Sequence, residues 1–153
     1  SVYGSMHAKK AVDMAINDEG EIRTLLAQPR RIAVVGASPN AARDSNRVLG
    51  FLVAQGHDVI AVNPGHAGGT IHGAPVVASL SDISPPAEIV DIFRNSEAAG
   101  EAVDDAIAHG AKAVWLQLGV INPLAAARAA AAGLVVVMDR CPKIEIPRLG
   151  LLR

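Results

Sequence analysis

The sequence predicts an α/β fold in which a doubly wound parallel sheet carries helices on both faces. Short runs rich in Val, Ile and Ala alternate with amphipathic, helix-like segments along the chain. Half of the residues are hydrophobic but only 3% are aromatic, so the core must be built from small aliphatic side chains, as in a sheet buried on both faces. The 153 residues suit a single domain with a sizeable core.

The strands are predicted from the apolar runs, each of which ends at Gly, Asn or another turn-forming residue. In chain order they are Arg31 to Val35, Asp58 to Val62, a short strand at Val76-Val77, Glu88 to Phe93, Ala113 to Leu118, and Leu134 to Met138. The glycine-rich segment from Gly65 to Gly73 is predicted to be a loop. Right-handed crossovers between parallel strands place the intervening helices on both faces of the sheet.

Cap and stop residues set the bounds of the predicted helices. One helix runs from about Ser45 to Gln55 and is closed by Gly56 as C-cap. The next is capped by Asn95-Ser96, runs to His109 and stops at Gly110, and an Ala-rich helix runs from Asn122-Pro123 to Gly133. Ser81 is predicted to cap the connector before the third long strand, and residues 139–147 are predicted to form a tail interrupted by proline.

The N-terminal part of the chain is predicted to be a helical extension. Residues 8–26 indicate one or two amphipathic pieces with a break near Gly20, and Ser1 to Ser5 are interpreted as a remnant of an expression tag. The predicted division is therefore an extension over residues 1–28 and a domain over residues 29–153. The apolar side chains of the extension leave two alternatives open, cover for a sheet edge or contact with a second copy in a homodimer.

Composition argues against several classes of protein. The formal net charge is -1, so the sequence predicts no general attraction to nucleic acid or to a membrane surface. No apolar run approaches the ~20 residues of a membrane span, and no secretory signal is evident. A single cysteine excludes an internal disulfide. These features together predict a cytoplasmic protein.

The turn after the first strand has the character of a phosphate-binding loop. Gly36-Ala37-Ser38 offers backbone N–H donors and one hydroxyl with little side-chain volume, and a helix begins shortly afterwards. Arg43 and Arg47 follow, and arginine pairs well with phosphate oxygens. The alternatives are a tight turn without a ligand and a solvated helix start. The loop is not a complete G-x-G-x-x-G motif, because serine and alanine stand at its second and third glycine positions.

The end of the second strand distinguishes between nucleotide ligands. An NAD-binding domain usually carries an acidic residue near this point for the ribose hydroxyl, whereas this chain has Val62-Asn63-Pro64. An NADP site would favour a nearby arginine, and His66 is the only candidate cation in the loop that follows. A small NAD(P)-binding oxidoreductase or redox-sensing domain is therefore the weaker alternative.

A series of strand-end motifs resembles one known family. From about Arg31 to Leu149 the chain resembles the small stand-alone CoA-binding proteins, which share a Rossmann-like fold with the CoA-binding domain of the succinyl-CoA synthetase α-subunit. The matching pieces are Val34-Val35-Gly36-Ala37-Ser38, Val62-Asn63-Pro64, Ser79-Leu80-Ser81-Asp82-Ile83, Val90-Asp91-Ile92-Phe93-Arg94, Val114-Trp115-Leu116-Gln117-Leu118-Gly119 and Met138-Asp139-Arg140-Cys141.

The resemblance implies coenzyme A as ligand and CoA or an acyl-CoA as partner. It implies that Gly36, Ala37 and Ser38 hold the pyrophosphate and that Val62, Asn63 and Pro64 border the adenosine. It further implies that Phe93 and Arg94 flank the next strand end and that Gln117 stands near the pantetheine path. The chain departs from the synthetase pattern in two ways: His66 stands where the synthetase loop usually has lysine, and the second domain with its phosphorylated histidine is missing. The resemblance therefore implies no acyl-CoA synthesis.

The sequence contains no pattern that identifies a catalytic nucleophile or base. Cys141 lies among Asp139, Arg140 and Lys143, where nearby cations favour a thiolate that could meet the CoA thiol or a CoA disulfide. The alternative is a small buried residue at a strand end. Asp91 lies inside a predicted strand, as a strand-edge residue or as a satisfied buried acid. The sequence therefore favours a binding protein over an enzyme and predicts no metal site.

Overall fold

A computed structural model describes residues 16–153 of the chain. Its strands are β1 (Arg31–Val35), β2 (Asp58–Val62), β3 (Thr70–Ile71), β4 (Ala74–Val77), β5 (Ile89–Ile92), β6 (Ala113–Leu116) and β7 (Val135–Met138). Its helices are α1 (Glu19–Leu26), α2 (Asp44–Ala54), α3 (Ala99–His109), α4 (Pro123–Ala131) and α5 (Pro142–Arg148). The strands form one seven-stranded sheet in the order β3-β4-β2-β1-β5-β6-β7.

The sheet is doubly wound around β1, as predicted. The ladders of β1 with β2 and with β5 are both parallel, so that Ala33 pairs with Ile60 on one side and with Val90 on the other. Only β3 and β4 pair antiparallel. Helix α2 connects β1 to β2 and α3 connects β5 to β6 on the opposite face, so the crossovers diverge at the carboxyl end of β1. Such a switch point is where open α/β sheets bind ligands.

Strand alternation divides the core into two apolar layers. One layer contains Ile32, Val34 and Trp115 from the strands and is covered by α1, α2 and α5. The other contains Ala33 and Val90 and is covered by α3 and α4. Alanine and valine are frequent in the second layer, in agreement with the predicted core of small aliphatic side chains.

The N-terminal helix packs into the same core. Asp18 caps α1 by accepting a hydrogen bond from the N–H of Glu21 at 2.9 Å, and Gly20 lies within the first turn rather than at a break. Ile16 forms a parallel bridge with Val136 of β7 and so covers one sheet edge. The tag remnant and the first part of the predicted extension lie outside the described residues. Over residues 16–153, no helix combines the length and the apolar character needed to cross a membrane.

Two connections differ from the prediction. The glycine-rich loop contains β3, which forms an antiparallel pair with the following strand β4. Thr70 pairs with Pro75, and Ile71 pairs with Ala74. The connector after β4 is capped by Ser79, not by Ser81. The backbone N–H and the hydroxyl of Ser79 both donate hydrogen bonds to the Asp82 carboxylate, in a capping box.

Two helices differ from the prediction as well. α3 begins at Ala99, later than the predicted cap, because the Asn95 side chain closes a separate turn by accepting from the N–H of Ala98. The predicted tail is helix α5, since Pro142 occupies the first turn, where no N–H is required, and Ile146 is buried in the core.

Asp91 matches neither of its two predicted interpretations. It lies in the middle of β5, between Val34 of β1 and Trp115 of β6, and is only 1% exposed. Both carboxyl oxygens lack a hydrogen-bond partner, so the acid is buried and unsatisfied. Burial raises the pKa of Asp91 well above its usual range, because desolvation disfavours the charged form.

Candidate functional site

A cleft of about 880 Å³, here called the switch-point cleft, opens at the carboxyl ends of β1, β2 and β5. Its lining unites ten of the twelve predicted site residues: Gly36, Ala37, Ser38, Arg43, Arg47, Val62, Asn63, Pro64, Phe93 and Arg94. Four further residues complete the wall, namely Ala42, Asp44, Ser45 and Gly65. The predicted residues therefore lie together, although they come from four separate segments of the chain.

Gly36 allows the turn after β1 to approach β5 closely. Its φ is +83°, in the region that favours glycine, and a Cβ added there would lie 2.4 Å from the carbonyl oxygen of Phe93. Its N–H also donates to the carbonyl of Val62 at 3.3 Å. The turn is thus fixed against the ends of both neighbouring strands.

Two asparagines hold the carbonyl groups of this turn. Asn63 donates from Nδ2 to the carbonyl of Ala37 at 2.8 Å, and Asn46 donates to the carbonyl of Ser38 at 3.0 Å. The N–H groups of Ala37 and Ser38 have no hydrogen-bond partner among residues 16–153. An anion placed in the cleft can accept hydrogen bonds from such free N–H groups.

The N-terminus of α2 adds further free donors to the cleft wall. Its N-cap residue is Arg43, which makes no side-chain capping bond, and Asp44 and Ser45 of the first turn line the cleft. The helix runs for 11 residues, long enough to direct the positive end of its dipole at this wall.

The charges of the cleft are mainly positive. Arg47 pairs with Asp44, whereas Arg43 and Arg94 have no carboxylate partner in the described part of the chain. All four side chains belong to exposed residues, so they can adjust to a ligand. His66 is exposed in the loop after β2 but is not part of the cleft lining.

The remaining two predicted residues, Gln117 and Cys141, lie in a neighbouring cavity of about 510 Å³, here called the Cys141 chamber. It is lined by Asp44, Arg47, Val48, Phe93, Gln117, Leu118, Val120, Cys141, Lys143 and Ile144. Asp44, Arg47 and Phe93 also line the switch-point cleft, so the two spaces are contiguous. Gln117 is 5% exposed, and its Oε1 is buried without a hydrogen-bond partner.

The loop that carries Cys141 is fixed by bonds between the ends of β6 and β7. Trp115 donates from Nε1 to the carbonyl of Arg140 at 2.9 Å, and Asp139 accepts from the N–H of Gly119 at 2.8 Å. Cys141 itself is 8% exposed and immediately precedes α5. The loop backbone next to Cys141 is therefore held in place beside the chamber.

Sequence reasoning missed several residues of the site. Asn46 is buried and forms hydrogen bonds to two residues. Its Nδ2 donates to the carbonyl of Ser38, and its Oδ1 lies 2.7 Å from Nε2 of His72. A polar residue at a buried helix position was the available signal. Leu118 and Ile144 line the chamber although each is about half exposed, and nothing in their sequence pattern indicates this.

The sequence model of the family described as "CoA binding domain" matches residues 30–147. The chain belongs to this family. Across the described residues, no group of three or more His, Cys, Asp or Glu side chains is placed to hold a metal ion.

Several known proteins are similar over most of this chain. The uncharacterized protein YneT of Bacillus subtilis is 34% identical over 129 residues, which cover 82% of this chain and 92% of YneT. A hypothetical protein from Pyrococcus horikoshii OT3 is 39% identical with a TM-score of 0.80, over 86% of this chain and 92% of the other. A dinucleotide-forming acetyl-coenzyme A synthetase 1 of Ca. Korarchaeum cryptofilum shares the fold alone, at 21% identity and a TM-score of 0.63, over 76% of this chain and 27% of the synthetase.

Proposed function

We propose that this protein binds coenzyme A or an acyl-CoA in an elongated form across the carboxyl ends of the sheet. The observation that carries the proposal is the continuity of a positively charged cleft with a partly apolar chamber, which share Asp44, Arg47 and Phe93. Coenzyme A has the same two-part character, since a charged nucleotide is joined to a slender pantetheine arm. Family membership supports the same ligand.

The diphosphate is assigned to the turn after β1. The free N–H groups of Ala37 and Ser38 and the uncapped start of α2 supply donors, and Arg43 and Arg94 supply charge that no carboxylate neutralises. Within residues 16–153, the one ion pair that an anion bound here would compete with is the exposed pair between Arg47 and Asp44, and exposed pairs contribute little to stability.

The adenosine is assigned to the side of the cleft formed by Val62, Asn63 and Pro64. No carboxylate follows β2 in this wall, so a phosphorylated ribose meets no negative charge there. A neutral wall suits the 3′-phosphate of coenzyme A better than the free ribose hydroxyls of NAD, which are normally bound by an acid.

The pantetheine arm is assigned to the Cys141 chamber. The arm carries two amide groups, and the unpartnered Oε1 of Gln117 can accept a hydrogen bond from an amide N–H. Such a bond would remove the cost of a buried acceptor that has no partner. Phe93, between the two spaces, gives the arm an apolar contact.

The proposed function is binding without acyl-CoA synthesis. Neither space contains a paired nucleophile and base, and the carboxylate that both share, Asp44, is paired with Arg47. The weaker alternative, a small NAD(P)-binding oxidoreductase or redox-sensing domain, requires that the cleft accept a nicotinamide dinucleotide.

Calorimetry and thermal unfolding with CoA, NAD and NADP test the proposal. We expect CoA to bind and to raise the melting temperature, and we expect Arg43→Gln to weaken CoA binding about tenfold, since a charge-assisted hydrogen bond to phosphate is worth about 1.5 kcal/mol or more. The matched control is Lys112→Gln, which removes one exposed positive charge just before β6, at the amino ends of the parallel strands and away from the cleft. This variant should leave the affinity for CoA unchanged. Stabilisation by NAD without stabilisation by CoA would overturn the assignment.

A further inference from the structure

We propose that Cys141 exchanges with disulfides of coenzyme A, so that the protein captures oxidised CoA as a mixed disulfide in the Cys141 chamber. The inference rests on the proposed function, because the cleft must first hold the nucleotide end of the ligand. It adds a reaction to binding and names the chemical class of its substrate, a disulfide that contains a CoA moiety.

The placement of the sulfur selects a slender partner. Cys141 is 8% exposed and lines a chamber that adjoins the cleft, so a linear arm held by the cleft can reach it more easily than the surface of another protein can. Cys141 is also the only cysteine in the sequence, so any disulfide that it forms joins it to a second molecule.

A second, independent feature indicates a ligand in the same chamber. Gln117 is 5% exposed and lines the space beside Cys141, and its buried Oε1 has no hydrogen-bond partner in the described structure. In coenzyme A the terminal sulfur lies only two carbons from an amide N–H. A ligand that satisfies the Gln117 oxygen with this amide therefore carries its sulfur into the neighbourhood of Cys141.

The reaction is a thiol–disulfide exchange and needs no further oxidant. The thiolate of Cys141 attacks the CoA sulfur of CoA–S–S–R, the original S–S bond breaks, and R–S⁻ leaves and takes up a proton from solvent. Cys141 is oxidised to the mixed disulfide while the leaving thiol is reduced. A second thiol reverses the step, and Cys141 also lines a neighbouring depression of about 510 Å³.

The experiment treats the reduced full chain with CoA disulfide and follows intact mass over time. We expect the protein to gain one CoA–S group in place of its thiol hydrogen, with release of one CoA thiol, at least about tenfold faster than oxidised glutathione reacts, because binding in the cleft orients the reactants. Adenosine 3′,5′-bisphosphate, which can occupy the cleft but has no thiol arm, should slow the reaction with CoA disulfide only. Gln117→Met should slow it too, without changing the rate with glutathione disulfide.

The controls separate this inference from the proposed function. Cys141→Ser should form no adduct but should still bind adenosine 3′,5′-bisphosphate, which does not reach the chamber, by calorimetry, and Cys141→Ala serves if the serine variant fails to fold. Equal rates with CoA disulfide and oxidised glutathione would overturn the inference, as would the absence of an adduct in a protein that binds CoA. If CoA itself fails to bind the unmodified chain, the proposed function fails as well.

Discussion

Replacing Asp91 by asparagine should stabilise the protein at neutral pH. The carboxyl is buried in the middle of β5 with neither oxygen hydrogen-bonded, and burial raises its pKa well above the usual range. The folded protein therefore keeps the carboxyl protonated to a higher pH than the unfolded chain, in which an aspartate has a pKa of about 3.9. Asparagine has nearly the same shape and does not titrate, so it removes the cost of keeping the carboxyl protonated.

The size and sign of the effect follow from proton linkage. Between the unfolded pKa and the raised folded pKa, the folded state binds one more proton, so wild-type stability falls by about 1.4 kcal/mol for each unit of rising pH. The advantage of Asp91→Asn should be near zero at about pH 4 and should reach at most about 4 kcal/mol at pH 7. The asparagine side chain at position 91 is still a buried polar group without a hydrogen-bond partner, so we expect no additional stability from hydrogen bonding.

Urea unfolding at about pH 5 and pH 7 measures the difference, since midpoints shift with stability at constant slope. The matched control is Asp105→Asn, which changes an exposed carboxyl on α3 and should alter the free energy of unfolding little at either pH. A stabilisation that is equal at both values of pH, or a loss of stability in Asp91→Asn at neutral pH, would refute the reasoning.

Two further predictions concern Gly36 and His57. Gly36→Ala should lower the free energy of unfolding by at least about 2 kcal/mol and should weaken CoA binding, because it adds backbone strain at positive φ and a clash with Phe93. The control is Gly56→Ala, where φ is a similar +88° but the new Cβ meets open space. It should lower the free energy of unfolding by about 1 kcal/mol and leave binding unchanged. Thermal unfolding and calorimetry check this pair, and equal losses of affinity would contradict it. Burial, with a smaller effect of Arg153 and Arg30, lowers the pKa of His57 to about 4, so its contribution of at most about 3 kcal/mol should be complete above about pH 6.5 and should be lost as the pH falls toward 4. Urea unfolding of His57→Asn, which keeps an acceptor for the N–H of Arg30, should lack this slope; an unchanged slope would contradict the assignment.

Local sequence was sufficient for the central strands. Arg31–Val35 and Asp58–Val62 were predicted with the observed bounds, because each is a continuous apolar run between a charged residue and a turn former. The turn at Gly36 was predicted for the same reason, and its neighbours converge on the switch-point cleft as the strand ends imply.

The remaining features depend on tertiary contacts that no local pattern contains. Helix α5 forms although its sequence contains two prolines. Ile146 is buried in the core, and Arg148 pairs with Glu145 and with Glu19 of the distant helix α1. The short strand β3 exists only where β4 lies beside it. The unsatisfied states of Asp91 and Gln117 likewise follow from neighbours that come from other strands and helices.

The two contiguous spaces of the site share part of one wall but otherwise come from different parts of the chain. Most of the cleft comes from residues 36–65, whereas Gln117, Cys141 and Ile144 of the chamber come from residues 117–144, and Phe93 contributes to both. If the proposed function holds, binding of the nucleotide and selection of the group attached to sulfur are separable traits. Substitutions among residues 117–144 would then change which thioesters or disulfides the chamber accepts, while the contacts of the cleft with the nucleotide stay the same.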